Sequence, residues 1–181
     1  MNLPPKFAWI DKEEGPRILL EMRKLYGTME TPGAASNPLI LSWAKAIGFG
    51  NVYKNDAIAW CGLTVAFAAA KAGWDYAPRG NPLYARNWLA WGQAVKSGEE
   101  ALGDVLVFSR GPNQGHVAIY VGEDDKNYYI LGGNQNDAVG IKSKPKNLLI
   151  AARRCAWRVD QPASVRKIQI APGGSTSTKE A

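Results

Sequence analysis

No stretch of about 20 consecutive apolar residues occurs in this chain of 181 residues, which excludes a membrane-spanning helix. The opening Met-Asn-Leu-Pro-Pro-Lys-Phe-Ala-Trp-Ile also lacks the apolar run of a secretory leader. If the protein acts outside the cytoplasm, something else must release it. Cysteine is scarce: Cys61 and Cys155 are too few for a disulfide framework and have no zinc-site spacing. Histidine is scarcer still, with His116 alone. Carboxylates are thin between Gly50 and Asp56, where only Asp56 offers hard oxygen, so no calcium site, no other metal and no cofactor is expected. There are no internal repeats and no long basic run. The net charge of +6 is spread over residues such as Arg17, Lys45, Lys71, Arg86, Lys142, Lys146, Arg153 and Arg154. A nucleic-acid surface needs a basic stripe interleaved with exposed aromatics, and that partner is excluded on this reading. The net positive charge favours an anionic partner such as a bacterial envelope, while its dispersal fits an ordinary solvated surface for most of these residues.

What is present reads as one globular domain with trimmings: 46% hydrophobic and 21% charged residues support a sizeable core. Helical periodicity covers 7–27, with Pro16 favouring a start near Glu13–Gly15, and again Leu39–Ile47, ended by Gly48 and Gly50. The richest stretch is Asp56–Gly73. Asp56 is a good N-cap, Gly73 suits the left-handed position past a C-terminus, and the alanines between them allow close packing, so a buried helix is expected. A short helix over Ala85–Gln93 brings Trp88 and Trp91 together. Strand patterns follow at Asp104–Ser109, His116–Val121, Asn127–Leu131, Val139–Lys142 and Leu149–Val159, joined by short loops that favour antiparallel hairpins. Helices first and a meander afterwards give an α+β fold, with N-terminal helices packed on an antiparallel sheet of about five strands. The expected organisation is an N-terminal helical extension over 1–38, a catalytic domain over 39–160 and a largely disordered tail over 161–181.

Cys61 falls near the first turn of the Asp56–Gly73 helix, where the helix dipole and unpaired N–H groups favour a thiolate. His116 opens an apolar strand. A cysteine at a helix start with a histidine on a strand is a common plan for thiol hydrolases, the imidazole taking the thiol proton and returning it to the leaving amine. The imidazole needs a third group to hold its tautomer. Asn134, Gln135, Asp137 and Asp104 are all candidates; side chains alternate, so only one of Asn134 and Gln135 can face the ring on a regular strand. Taken singly, each residue has a plain structural reading, since a lone buried cysteine is more often inert core than nucleophile. Cys155 is read as core. Trp60 walls the cleft or packs in the core.

The order of motifs adds to this. Trp-Cys-Gly-Leu opening a helix, then Gly-Asp-Val-Leu-Val-Phe, Gly-His-Val-Ala-Ile-Tyr-Val-Gly and Tyr-Ile-Leu-Gly-Gly-Asn-Gln resembles the CHAP branch of the NlpC/P60 cysteine hydrolases, above all its compact phage-type lysins. The likeness spans about Leu39–Arg158. It implies a papain-like α+β fold and cleavage of amide bonds in peptidoglycan, with Cys61 as nucleophile, His116 as base, Asn134 as the polar third residue, and Trp60 and Gln135 at the substrate. Many members carry glutamate two residues before that asparagine; here the position is Gly132. The resemblance further implies a monomeric phage endolysin, made in the bacterial host cytoplasm and released by a holin-like partner, or an effector delivered by a secretion machine. A wall-binding or structural phage component with a decayed site is the alternative.

Overall fold

The computed structural model describes residues 1–33, 35–157 and 160–171. Its architecture is α+β. Three α-helices, α1 (Arg17–Lys24), α2 (Pro38–Ala46) and α3 (Cys61–Ala72), precede a sheet of six antiparallel strands. The strands are β1 (Gln93–Val95), β2 (Val105–Ser109), β3 (Gly115–Glu123), β4 (Asn127–Gly132), β5 (Gly140–Pro145) and β6 (Leu149–Arg154), in the spatial order β1-β6-β2-β3-β4-β5. None of the described helices is long and apolar enough to cross a membrane.

Local chemistry accounts for the helix boundaries. Pro16 precedes α1 and splits it from a 3₁₀ segment at Pro5–Lys12. Asn37 caps α2, its side chain accepting from the Leu39 N–H at 2.8 Å, with Pro38 in the first turn. Gly73 closes α3 at φ 82°. The start of α3 differs from expectation. The helix begins at Cys61, and Asp56 is not its cap. Instead the buried Asp56 carboxylate accepts backbone N–H groups from Asn37 at 2.7 Å and Thr31 at 3.1 Å, tying the 31–37 loop to the segment before α3.

Nine of the twelve residues of α3 are buried, because it lies between α1, α2 and the sheet. Small residues make this feasible: a Cβ at Gly62 would collide with the carbonyls of Pro82 and Leu83. Along β2 and β3 the side chains alternate. Val105, Val107, Val117 and Ile119 join the core under α3, while Leu106, Phe108, Ala118 and Tyr120 form a second cluster on the other face with Tyr128, Ile130 and Ala152. The sheet coils around that second cluster, so that the Tyr128 ring lies 6.3 Å from Phe108 and 6.1 Å from Tyr120.

The sheet has one strand more than the sequence suggests. The helical pattern of Ala85–Gln93 ends as a 3₁₀ segment at Ala85–Ala90, and Gln93–Val95 turns out to pair with β6 at the sheet edge. Three exposed or half-exposed residues carry no readable alternation. β5 runs on to Pro145, and β6 ends at Arg154 rather than reaching Val159, which lies outside the described residues together with Arg158.

The terminal segments share the core. Ile18, Leu19 and Met22 are fully buried in the same cluster as Cys61 and Leu63, so residues 1–38 are built into the domain. Toward the C-terminus, Ile170 is buried and its N–H donates to the Glu123 carbonyl at 2.8 Å, while the Glu123 N–H donates to Ile168 at 2.9 Å. Residues 160–171 are therefore seated on the sheet. The expected disorder of 172–181 concerns residues outside those described.

Candidate functional site

Cys61 is the first residue of α3, and Trp60 before it provides no side-chain cap. The first N–H groups of the helix therefore lack intrahelical partners and point toward the cysteine side chain. Two contacts fix this turn. The Thr64 hydroxyl donates to the Trp60 carbonyl at 2.8 Å, and the Trp60 indole N–H donates to the Glu30 carboxylate. Trp60 is wholly buried against Trp43, with ring centroids 6.2 Å apart. It anchors the helix start and has no surface left for substrate, which corrects its assignment to the cleft.

The Cys61 sulfur lies against the backbone N–H of Val117, one residue past His116 on β3. α3 and β3 thus bring Cys61 against Val117, the chain neighbour of His116. Both are buried, Cys61 to 3% exposure and His116 to 0%. Burial pushes the Cys61 thiol up; the Val117 N–H, the Arg110 charge and the N–H groups of Gly62 and Cys61 oppose it without prevailing. The expected thiolate is therefore replaced by a neutral thiol, since loss of hydration outweighs a dipole worth about 0.3–1 kcal/mol. Burial likewise holds the His116 imidazole down at about 3, helped by the charges of Arg110 and Lys144 and opposed by Gln135. At neutral pH the resting pair is thiol and neutral imidazole. Neither ring nitrogen forms a hydrogen bond.

Of the four candidates for the third position, Gln135 is the one that acts on the His116 ring. Its Oε1 is buried with no other hydrogen-bond partner, although its approach falls short of a formed bond. Its Nε2 is held by three carbonyls, Gly140 at 2.6 Å, Gly132 at 3.2 Å and Ile130 at 3.3 Å, which leaves the oxygen to face the ring. Asn134 is half-buried at φ 52° in a turn that includes Asn136 at 57° and Asp137 at 59°. These left-handed residues break the alternation on which the sequence reading rested. Asp137 is exposed, its carbonyl accepting from the Glu30 N–H at 2.8 Å. Asp104 lies elsewhere, paired with Arg154 at 2.7 Å.

Gly133 lets the end of β4 approach the helix, and Gly132 lets it approach β3. A Cβ on Gly133 would meet the Thr64 hydroxyl and fall 2.6 Å from the Trp60 ring; one on Gly132 would fall 2.7 Å from Ala118. Cys155, 5% exposed and pushed up to about 12 by burial and by Asp104, plays no part in this cluster.

Several members of the site carried no readable signal. Tyr53 donates to the Ile58 carbonyl at 3.1 Å, and its phenol is pushed up by burial, Asp56, Glu30 and Cys61. Arg110 and Lys144 come from a loop and an edge strand distant in sequence from Cys61. An open cleft of about 320 Å³ lined by Glu30, Thr31, Asp56, Ala57 and Asn136 adjoins the Glu30–Trp60 anchor. A larger groove of about 460 Å³, lined by Glu100, Tyr128, Lys146 and Ala152, contains neither Cys61 nor His116. Among the described residues no group of three or more His, Cys, Asp or Glu side chains could hold a metal ion.

Chemically, these residues offer a thiol, a neutral imidazole next in the chain to the sulfur's backbone neighbour, an amide oxygen near that ring, and free helix N–H groups at the sulfur. The chain matches no protein-family model and no curated protein sequence.

Proposed function

We propose that the protein is a cysteine peptidoglycan hydrolase with the papain-like fold of the NlpC/P60 (CHAP) enzymes, acting as a monomeric phage endolysin. The observation that carries this reading is the convergence of Cys61, first residue of α3, with the residue after His116. Cys61 attacks an amide carbonyl of the wall peptide as His116, neutral and able to accept, takes the thiol proton. The Cys61 N–H, unpaired within the helix, stabilises the oxyanion. Protonated His116 gives its proton to the leaving amine, and water resolves the thioester. Gln135 orients the ring and, as a neutral amide, stabilises imidazolium less than a carboxylate would. The net charge of +6 favours an anionic wall. Synthesis in the host cytoplasm and release by a holin-like partner or a secretion machine belong to the same reading.

A second reading, a wall-binding or structural component with a decayed site, draws on one observation: the His116 nitrogens form no hydrogen bond, and the sulfur is nearly inaccessible. Digestion of purified peptidoglycan, with mass spectrometry of the new termini, separates the two. Hydrolysis lost on Cys61→Ala, with wall binding retained, supports the enzyme. Equal lysis by wild type and Cys61→Ala refutes the nucleophile, and binding without cutting by wild type favours the second reading.

A further inference from the structure

Among the described residues four carboxylates are buried: Asp56, Glu100, Asp104 and Glu123. Three are well served. Asp104 accepts from Arg154 at 2.7 and 2.8 Å and from the Ala101 N–H at 2.8 Å. Glu123 takes Lys146 at 2.8 Å, Lys167 at 3.4 Å and the Tyr120 hydroxyl at 3.0 Å. Asp56 takes the backbone N–H groups of Asn37 and Thr31. Glu100 is the exception. It is 1% exposed, its Oε2 accepts from the Gly98 N–H at 2.9 Å, and its Oε1 is buried with no hydrogen-bond partner among the described residues. The Tyr128 phenol, pushed up by burial and then by Glu100, comes near without forming a bond. A buried carboxylate oxygen left without a donor is costly. Glu100 lines the groove of about 460 Å³, where a ligand can supply that donor.

The groove lies on the face of the sheet turned away from α3, since Tyr128 and Ala152 of its lining belong to the second cluster. Its volume falls within the range of about 300–1,000 Å³ usual for small-ligand sites. Val95, Leu149 and the exposed Ile150 give it an apolar wall. Its charged lining is Glu100 and Glu123 against Lys146, Lys167 and Arg153. Lys146 and Lys167 share Glu123, and Arg153 donates to the Trp91 and Gly92 carbonyls. The surplus of cations disfavours an ammonium ligand, and the uncompensated Glu100 disfavours an anion. A hydroxyl both donates and accepts, so it suits a carboxylate and an ammonium side by side. We propose that this groove is a sugar-binding site, in which Glu100 Oε1 accepts from one hydroxyl, Lys146 or Lys167 donates to another, and the apolar wall meets the C–H face of the ring. The inference goes beyond the hydrolase reading and does not depend on it. The sugar has two sources, a free monosaccharide or a glycan chain laid along the groove.

Amide NMR spectra of the full chain, titrated with glucose, N-acetylglucosamine and chitotriose, read the groove through the Gly98 N–H that donates to Glu100. At least one sugar should move that signal saturably. Tighter binding of chitotriose than of N-acetylglucosamine identifies a glycan chain, and equal binding a free sugar. Glu100→Gln should raise the Kd about tenfold, as a hydrogen bond to a charged group becomes a neutral one. Ala94→Trp fills the groove from an exposed position and should abolish the response, which keeps the test decisive should Glu100→Gln fail to fold. Four results would each overturn the site: no saturable shift with any sugar, an unchanged Kd in folded Glu100→Gln, an undiminished response in Ala94→Trp, or saturation by n-butylammonium in place of the sugars. The groove contains neither Cys61 nor His116, so a protein that cuts no peptidoglycan still has its groove decided by this titration. A failed titration, in turn, leaves the reading of Cys61 standing.

Discussion

At the scale of single residues, the site is governed by desolvation. Cys61 and His116 both rest uncharged, so on the proposed mechanism the thiol is activated only when its proton moves to the ring during attack. Native Cys61 should therefore react with iodoacetamide at pH 7 more slowly than free cysteine, whose pKa is about 8.5, and Cys155 should be slower still. After denaturation both free thiols should titrate. Fast native labelling at neutral pH would contradict the neutral resting pair. The imidazole also predicts a pH dependence of stability. Its folded value near 3 lies below the ordinary 6.5, so as pH falls the unfolded chain takes up the proton first. The contribution is complete above about 6.5 and is lost as pH falls toward 3, with a slope of at most about 1.4 kcal/mol per pH unit. Urea melts between pH 7 and 4.5 should show this slope in the wild type and a flatter one in His116→Gln. Gln135→Ala removes the oxygen at the ring and three anchoring donations, and should cost about 10²-fold in rate. Asn134→Gly should be nearly neutral, since φ 52° suits glycine. Initial rates of wall hydrolysis check both, and a larger loss at Asn134 would return the third position to that residue.

At the scale of elements, the meeting of the α3 first turn with the end of β4 sets how closely the helix packs on the sheet. Gly133 is the contact point, under Thr64 and Trp60. Gly133→Ala should destabilise by about 1–3 kcal/mol through overpacking, read as a drop in urea midpoint. Adding Thr64→Ala should recover part of the loss by removing the hydroxyl that the new methyl meets. No recovery would mean that the indole alone sets the limit. The 31–37 loop belongs to the same assembly, because Asp56 is held charged by the N–H groups of Asn37 and Thr31 despite its burial.

At the scale of the whole molecule, the N-terminal segment is part of the folding unit. Deletion of 1–38 would strip Ile18, Leu19 and Met22 from the core under α3 and should yield a chain without a cooperative melt. A truncated protein that melts cooperatively and cuts peptidoglycan would make the segment an appendage after all. Much of this architecture was legible beforehand. Pro16 and Gly73 mark helix ends by local chemistry, and the apolar run Asp104–Ser109 and the alternation of His116–Val121 mark strands, because such signals act within a few residues. Cys61 at a helix start and His116 on a strand were legible for the same reason. Tertiary structure alone decided the rest. Asp56 left its capping role because a distant loop offered two N–H donors. Gln135 reaches the His116 ring because Asn134, between it and Gly133, takes a left-handed conformation that breaks the strand alternation. The protonation of Cys61 and His116 depends on burial and on charges from distant segments, Arg110 and Lys144 among them, and a field assembled from distant segments has no local pattern to read.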